Sequence, residues 1–278
     1  MRIASWNVNS IKARGAHVKD WLDSVKPDIL MVQELKGLEF PHEEFKALGY
    51  HTEAVTQKAY NGVAIFSKEK IELKHTSLPG NEDDEQARYI EFRVNGMTFI
   101  NIYLPNGNPV YADDTAGKGS SSGARSENPA EDAAFSEKYR YKLRWMDLLI
   151  ARLTELRANE EPFAIGGDFN VIPEPRDVHN PQNWENDALF MLETKQKYRA
   201  MLNLGLTDAF RVRNQDDEQY TFWDYTGGAW PQNKGLRIDH FLLSPPLADR
   251  LQNCYIDSNP RGQEKPSDHT PIVIELEQ

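Results

Sequence analysis

Apolar residues in this chain fall into short runs of strand length, interleaved with a few stretches of helical spacing. Runs at Arg2–Trp6, Asp28–Gln33, Val63–Ser67, Tyr89–Val94, Thr98–Leu104, Pro162–Gly166, Ile238–Leu243 and Pro271–Leu276 predict strands. Val18, Trp21, Leu22 and Val25 share a helical face that ends before Pro27, whose ring cannot continue a helix. Phe135, Tyr139, Leu143, Met146, Ile150 and Leu153 recur every three or four positions and predict an amphipathic helix. A third helix is predicted from Ala188 to Leu204, with Gly205 at its C-terminal stop. Strands and helices alternate, so the fold class is α/β.

One segment breaks the pattern. The 23 residues between Tyr111 and Phe135 contain no Ile, Leu, Val, Met, Phe, Trp or Tyr, and they include the linker-like run Gly117-Lys118-Gly119-Ser120-Ser121-Ser122-Gly123. Strand patterns continue on both sides and neither half looks complete alone. The expectation is a single domain over 1–278 carrying a flexible surface insertion at about 112–134.

Composition narrows the class. With 278 residues, 39% hydrophobic and 27% charged, the chain reads as a soluble globular protein. No stretch approaches the ~18 apolar residues of a membrane span. The N-terminus enters a strand pattern directly, without the apolar core of a signal peptide. The single cysteine, Cys254, excludes an internal disulfide and a multi-cysteine zinc site, so a cytoplasmic location is expected. Asn253 and Tyr255 beside it supply nothing to activate a thiolate, and Cys254 reads as a semi-buried strand residue. The net charge of −11 argues against a nucleic-acid coat protein. It permits carboxylates gathered around a divalent metal together with a local basic face.

The candidate chemistry stands where apolar strands end. Ile3-Ala4-Ser5-Trp6 runs into Asn7-Val8-Asn9-Ser10, and Ile29-Leu30-Met31-Val32 into Gln33-Glu34-Leu35-Lys36. Phe163-Ala164-Ile165 runs into Gly166-Gly167-Asp168-Phe169-Asn170. Arg237-Ile238-Asp239-His240 opens one strand, and Lys265-Pro266-Ser267-Asp268-His269 precedes the last. Singly, each has a plain explanation: a solvated Glu34, an Asx turn at Asp168, a cap at Asn7 or Asp268. Jointly they suit hydrolysis at phosphorus. Carboxylates and amide oxygens are hard ligands for Mg²⁺ or Mn²⁺, an Asp-paired His holds one tautomer, and neutral Asn or Tyr donors can steady developing charge.

These blocks, with Tyr220-Thr221-Phe222-Trp223 and Gly235-Leu236-Arg237-Ile238-Asp239, resemble in family order the exonuclease III family of apurinic/apyrimidinic endonucleases. That family lies within the endonuclease/exonuclease/phosphatase superfamily, and the resemblance spans nearly the whole chain. It implies a DNase I-like four-layer α/β sandwich, two packed mostly antiparallel sheets flanked by helices. It also implies a monomeric DNA repair hydrolase that cuts the backbone of double-stranded DNA 5′ to abasic sites, with 3′-to-5′ exonuclease and 3′-end trimming activity on blocked ends. The implied catalytic set is Tyr103, Asp168, Asn170, Asp239 and His269. The implied surroundings of an Mg²⁺ or Mn²⁺ ion are Asn7, Glu34, Asp168, Asn170, Asp268 and His269, with Glu34 foremost. Phe222, Leu236 and Ile238, with Trp223 beside them, match the pocket for an extruded abasic sugar. Lys36 and Arg14 are candidate contacts to the phosphate backbone. Either Asp168 activates water while His269, oriented by Asp239, stabilises the phosphate, or His269 is the base; the first is preferred.

Three rival readings stand beside this one: a non-specific nuclease, a phosphatase acting on inositol lipids or sphingomyelin, and a non-catalytic DNA-binding protein on the same fold. The insertion departs from the family pattern, but its local charge is only −3, from five acidic residues against two basic ones, leaving the remainder at −8. Acidity therefore predicts a confined basic footprint and salt-sensitive binding.

Overall fold

Every residue of Ile29–Gln33 and of Val63–Ser67 is buried, so these strands are covered on both faces, as continuous apolar runs require. The computed structural model describes residues 1–111, 132 and 134–277. The insertion expected at about 112–134 thus lies, apart from 132 and 134, outside the described residues. The strands are β1 (Arg2–Asn7), β2 (Ile29–Gln33), β3 (His51–Val55), β4 (Val63–Ser67), β5 (Glu72–His75) and β6 (Tyr89–Val94). They continue with β7 (Met97–Tyr103), β8 (Phe163–Asp168), β9 (Thr207–Asp208), β10 (Asp239–Leu243), β11 (Leu251–Ile256) and β12 (Ile272–Leu276). The helices are α1 (Ile11–Val25), α2 (His42–Lys46), α3 (Glu137–Ala158), α4 (Leu192–Asn203), α5 (Ala209–Arg213) and α6 (Pro245–Ala248).

The strands form two six-stranded sheets, in the orders β11-β12-β1-β2-β4-β3 and β5-β6-β7-β8-β10-β9. Each sheet is antiparallel except for one central parallel pair, β1–β2 in the first and β7–β8 in the second. Alternation along the strands sorts the core into three layers. Ile29 and Met31 join Ile65, Phe92, Phe99 and Phe241 between the sheets. Leu30 and Val32 instead pack with Val18, Trp21 and Leu22 beneath α1. On the far side Ile100, Ile102 and Ile165 meet Trp145, Met146 and Leu149 of α3. This is the expected four-layer sandwich.

The second and third predicted helices begin later than their apolar pattern suggests, whereas α1 begins earlier, at Ile11. Phe135 pairs in an isolated bridge with Tyr111, and Ser136 caps α3 by accepting from the Tyr139 amide at 3.1 Å. The third helix, expected from Ala188, begins at Leu192. The Ala188 carbonyl accepts from the Thr194 hydroxyl at 2.8 Å and the Leu189 amide donates to the Asp187 carboxylate at 2.9 Å, so local side-chain bonds replace the first helical turn. Gly205 follows α4 with φ +87°, as its stop position requires. Cys254 lies buried on β11, and burial pushes its thiol well above the ordinary range.

Gly166 and Gly167 on β8 leave no room for side chains. A Cβ on Gly167, at φ +146°, would lie 2.0 Å from the Ile102 carbonyl oxygen of β7, and one on Gly166 would lie 2.4 Å from the Phe241 ring. A Cβ on Gly15, inside α1, would meet nothing within 4 Å. Gly167→Ala should therefore destabilise by about 3 kcal/mol or more, whereas Gly15→Ala should stabilise by about 0.5–1 kcal/mol. Urea unfolding of both variants checks this, and equal midpoints would contradict it.

Candidate active site

Strand register assembles the polar ends. Because β1 and β2 run parallel, Asn7 faces Gln33 at one sheet end, and Glu34 follows immediately with φ 58°. In the second sheet, Asp168 at the end of β8 pairs with Tyr103 of β7 on one side and Asp239 of β10 on the other. His269 enters from the segment before β12, tied to the first sheet by the Trp6 indole N–H, which donates to its carbonyl at 3.2 Å. Half of the site thus hangs from each sheet.

Hydrogen bonds knit the halves together. The Asn7 side-chain amide donates to Glu34 Oε1 and to Asp168 Oδ2, both at 2.9 Å. The Tyr103 phenol donates to Glu34 Oε1 at 2.8 Å. Asp168 Oδ1 accepts from the Asn170 backbone amide at 2.9 Å, the Asx-turn bond, while Asn170 itself adopts φ 48°. The Asn170 side chain donates to the Leu104 carbonyl at 2.9 Å and accepts from Asn106 at 3.2 Å. His269 Nδ1 bonds Asp239 Oδ2 at 2.8 Å, leaving Nε2 3.7 Å from Asp168 Oδ2.

Burial and neighbouring charge set the protonation states. Burial pushes the Asp168 carboxyl upward, opposed by the pull of His269. Burial works against a charged His269, but Asp239 and Asp168 outweigh it and raise the imidazole well above its ordinary value. For Glu34, burial is overcome by hydrogen bonds from Asn7 and Lys36, so its pKa is lowered. Burial, then the charges of Glu34 and Asp168, raise Tyr103, which stands as a neutral donor. The result is an anionic Glu34, a cationic His269 and a carboxyl at Asp168 poised between them.

The residues open into a cleft of about 340 Å³. Phe222, Leu236 and Ile238 line it, with Phe222 against the His269 ring at a centroid separation of 5.0 Å. Behind this wall, buried Arg237 pairs with Asp177 at 2.7 Å and Asp208 at 3.0 Å, fixing the backbone that carries Leu236 and Ile238. Trp223 is not on the cleft: it is buried against Trp230 at 4.7 Å and donates to Asn233. Lys36 pairs with Glu34 at 2.6 Å. Arg14 donates to the backbone carbonyls of Asn9, Lys265 and Pro266, holding the segment that leads to Asp268.

Several participants carry no signal of their own in the sequence. Asn9 connects Lys36 to Asp268, accepting from the former and donating to Asp268 Oδ1 at 2.9 Å. Asn106, Asn108, Trp184, Asp187, Leu189, Asp224 and Lys234 also line the cleft. Asn106 follows Tyr103 closely in the chain, and Asn9 lies within the Asn7 motif, so those two were within reach. The others sit in loops without periodic spacing, except Leu189, which falls in the segment whose spacing predicts a helix.

Glu34, Asp168 and His269 each offer an atom within 4.8 Å of the others, a group able to hold a cation. The donor set fits a hard divalent ion: the Lys36 ammonium already lies against Glu34 Oε2, and among the described residues Asp239 Oδ1 is buried without a hydrogen-bond partner. Asn7 and Asn170 place their oxygens elsewhere, on the Asn9 amide and on Asn106. Carboxylates of Glu34 and Asp168 are thus the foremost oxygen donors, with Asp268 held beside them through Asn9.

A two-sheet sandwich with a carboxylate-lined cleft across its sheet ends defines the class. A family model described as the Endonuclease/Exonuclease/phosphatase family matches residues 4–269, and the chain belongs to that family. It is similar to exodeoxyribonuclease III of Haemophilus influenzae, with 29% identity covering 99% of this chain and 100% of the relative. Among solved structures, an AP endonuclease from Archaeoglobus fulgidus has 37% identity, a TM-score of 0.87 and full coverage of both chains. A 3′ phosphatase from Neisseria, bound to a product DNA hairpin, has 33% identity, a TM-score of 0.87 and full coverage of both. The resemblance to exonuclease III-type AP endonucleases read from the motifs is thereby upheld.

Asp239→Asn should lower the pKa of His269, because the carboxylate that offsets its burial is gone. Since the folded pKa is raised, His269 contributes stability that is complete below its unfolded pKa of about 6.5 and is lost as pH rises through the folded value. Imidazole NMR titration of the metal-free protein should show His269 still charged above neutral pH in the parent and titrating lower in the variant. Superimposable titration curves would contradict the charge assignment.

Proposed function

We propose that this protein is a monomeric DNA repair phosphodiesterase that uses Mg²⁺ or Mn²⁺ to cut the backbone 5′ to abasic sites. The observation carrying this reading is the Asp168 carboxylate. It is held on one oxygen by Asn7, on the other by the Asn170 amide, and flanked by Glu34 and a cationic His269 at the mouth of an apolar slot. A divalent ion on Glu34 and Asp168, when bound, supplies charge neutralisation to the approaching phosphodiester.

The side chains then divide the work. Asp168 positions water and takes its proton as the oxygen attacks phosphorus. His269, oriented by Asp239, and the Asn170 side-chain amide stabilise the charge on the phosphoryl oxygens. The bond from phosphorus to the upstream 3′ oxygen breaks, and that oxygen takes a proton from solvent, leaving a 3′-hydroxyl and a 5′ phosphate on the abasic sugar. Asp239 and Asp168 favour the charged form of His269, which suits it to stabilising the phosphate rather than taking a proton. Phe222, Leu236 and Ile238 shape a slot that takes a bare sugar and excludes a base. The likeness to the Neisseria 3′ phosphatase favours trimming of blocked 3′ ends as a second activity of the same site.

An abasic duplex incubated with Mg²⁺ should be nicked once, 5′ to the lesion, and EDTA should abolish the reaction. An intact duplex with Mg²⁺ present would remove the proposal. Asp168→Asn should cost about 10²-fold or more in kcat, and near-normal turnover would take Asp168 out of the proton-transfer role. Phe222→Ala should narrow the preference for abasic over undamaged duplex by about 10-fold, as expected for a loss of one to three kcal/mol of apolar discrimination. An unchanged ratio would show that the slot does not select the sugar.

A further inference from the structure

Lys142 of α3 is fully buried, yet no ion pair holds it among the described residues. A lysine in that position normally carries a carboxylate partner. Here the amine donates instead to two backbone carbonyls, Asn106 at 3.0 Å and Asn170 at 2.6 Å. These belong to different loops, one following β7 and the other following β8. Even a neutral amine has two N–H groups to give, so the tie does not depend on the charge.

Both loops carry cleft residues, and they meet again above the amine. Asn106 donates to the Asn170 side-chain oxygen at 3.2 Å, and the Asn170 side-chain amide donates to Leu104 at 2.9 Å. Lys142 thus closes a ring of bonds that runs through Leu104, Asn106 and Asn170. Its methylenes also fill the space beside Gly107, where a Cβ would lie 2.7 Å from Lys142 Cδ and where φ is +92°. Nothing else in the ring reaches both carbonyls. Removing the amine leaves the buried Asn170 carbonyl and the part-buried Asn106 carbonyl without their shared donor, with each loop free to turn its carbonyl away.

We propose that Lys142 is a positioning residue: from beneath the cleft it fixes the carbonyls of Asn106 and Asn170, and so sets where the Asn170 side chain meets the substrate. This rests on the phosphodiesterase reading for its kinetic consequence, but the geometry can be read without it.

Two measurements test it. In kinetics on the abasic duplex, Lys142→Met should lower kcat by about 10- to 100-fold with KM changed by less than about 3-fold, as for a sub-ångström misplacement of a reacting-site group. Lys142→Gln, which keeps an N–H donor, should recover part of that loss. In an Asn170→Ala background, Lys142→Met should cost less than about 3-fold, because the group it positions is already absent. In ¹⁵N-resolved NMR, the side-chain amide signals of Asn106 and Asn170 should shift and broaden in Lys142→Met, while Gly15→Ala leaves them in place. If Lys142→Met does not fold, Lys142→Gln carries the same NMR comparison. A parent that does not nick the duplex removes the functional proposal and leaves the NMR arm to decide this one. Unmoved Asn106 and Asn170 signals, a kcat loss explained by the unfolded fraction alone, or full multiplication in the Asn170→Ala background would each overturn the inference.

Discussion

The alignment of one sheet against the other is the constraint on which the whole molecule depends. Glu34 and Asn7 belong to one sheet, and Tyr103, Asp168 and Asp239 to the other, so a small slip between sheets would separate the carboxylates. Apolar packing between the sheets is strong but does not specify register. Polar bonds at the centre do. Gln33 donates to Ser5 at 3.0 Å in its own sheet and to Asn101 at 2.7 Å across the gap. Asn101 in turn donates to the carbonyls of Val32 at 3.0 Å and Ala64 at 2.9 Å. All of these groups are buried, so a shifted register would strand several of them without partners. One strand-end beyond this tie, Asn7 and Tyr103 make the same kind of crossing within the site.

The electrostatic arrangement follows from that crossing. A −11 chain gathers carboxylates where it also excludes water, and it offsets them with local cations of different kinds. Lys36 sits against Glu34, His269 between Asp239 and Asp168, and Arg237 behind the slot between Asp177 and Asp208. His269 lines the cleft and Lys36 borders it through Glu34, where an incoming ion or phosphate can redistribute their partners. The third is closed to solvent and serves to hold the wall still. Net charge therefore says little about the substrate, whereas the placement of each cation says what it is for.

How much could be read from sequence depended on burial. The eight runs that read as strands are the interior strands of the two sheets. The four without such a run, β3, β5, β9 and β11, are the four sheet edges. Glu72–His75 is wholly exposed and His51–Val55 mixes exposed with half-buried positions, so hydrophobic pattern had nothing to mark. The site was legible for a related reason. Asn7, Glu34, Asp168 and His269 interrupt apolar runs, and a polar group there stands out. Asn9 belongs to the Asn7 motif and could have been singled out with it, whereas Asp187 lies in a loop with neither strand nor helical spacing. Lys142 was hidden differently, as a polar letter inside an amphipathic helix whose side chain turns inward to find carbonyls. Trp223, placed beside the pocket by its motif, proved to be part of the packing behind it.

The lone thiol also has a consequence for how the protein meets oxidants. Cys254 is buried on an edge strand of the first sheet, and that strand carries none of the groups of the cleft. Its protonated state slows attack on peroxide or alkylating agents, so oxidative stress does not enter the cleft through sulfur chemistry. Modification of this sulfur requires that it first be exposed from beneath the packing that buries it.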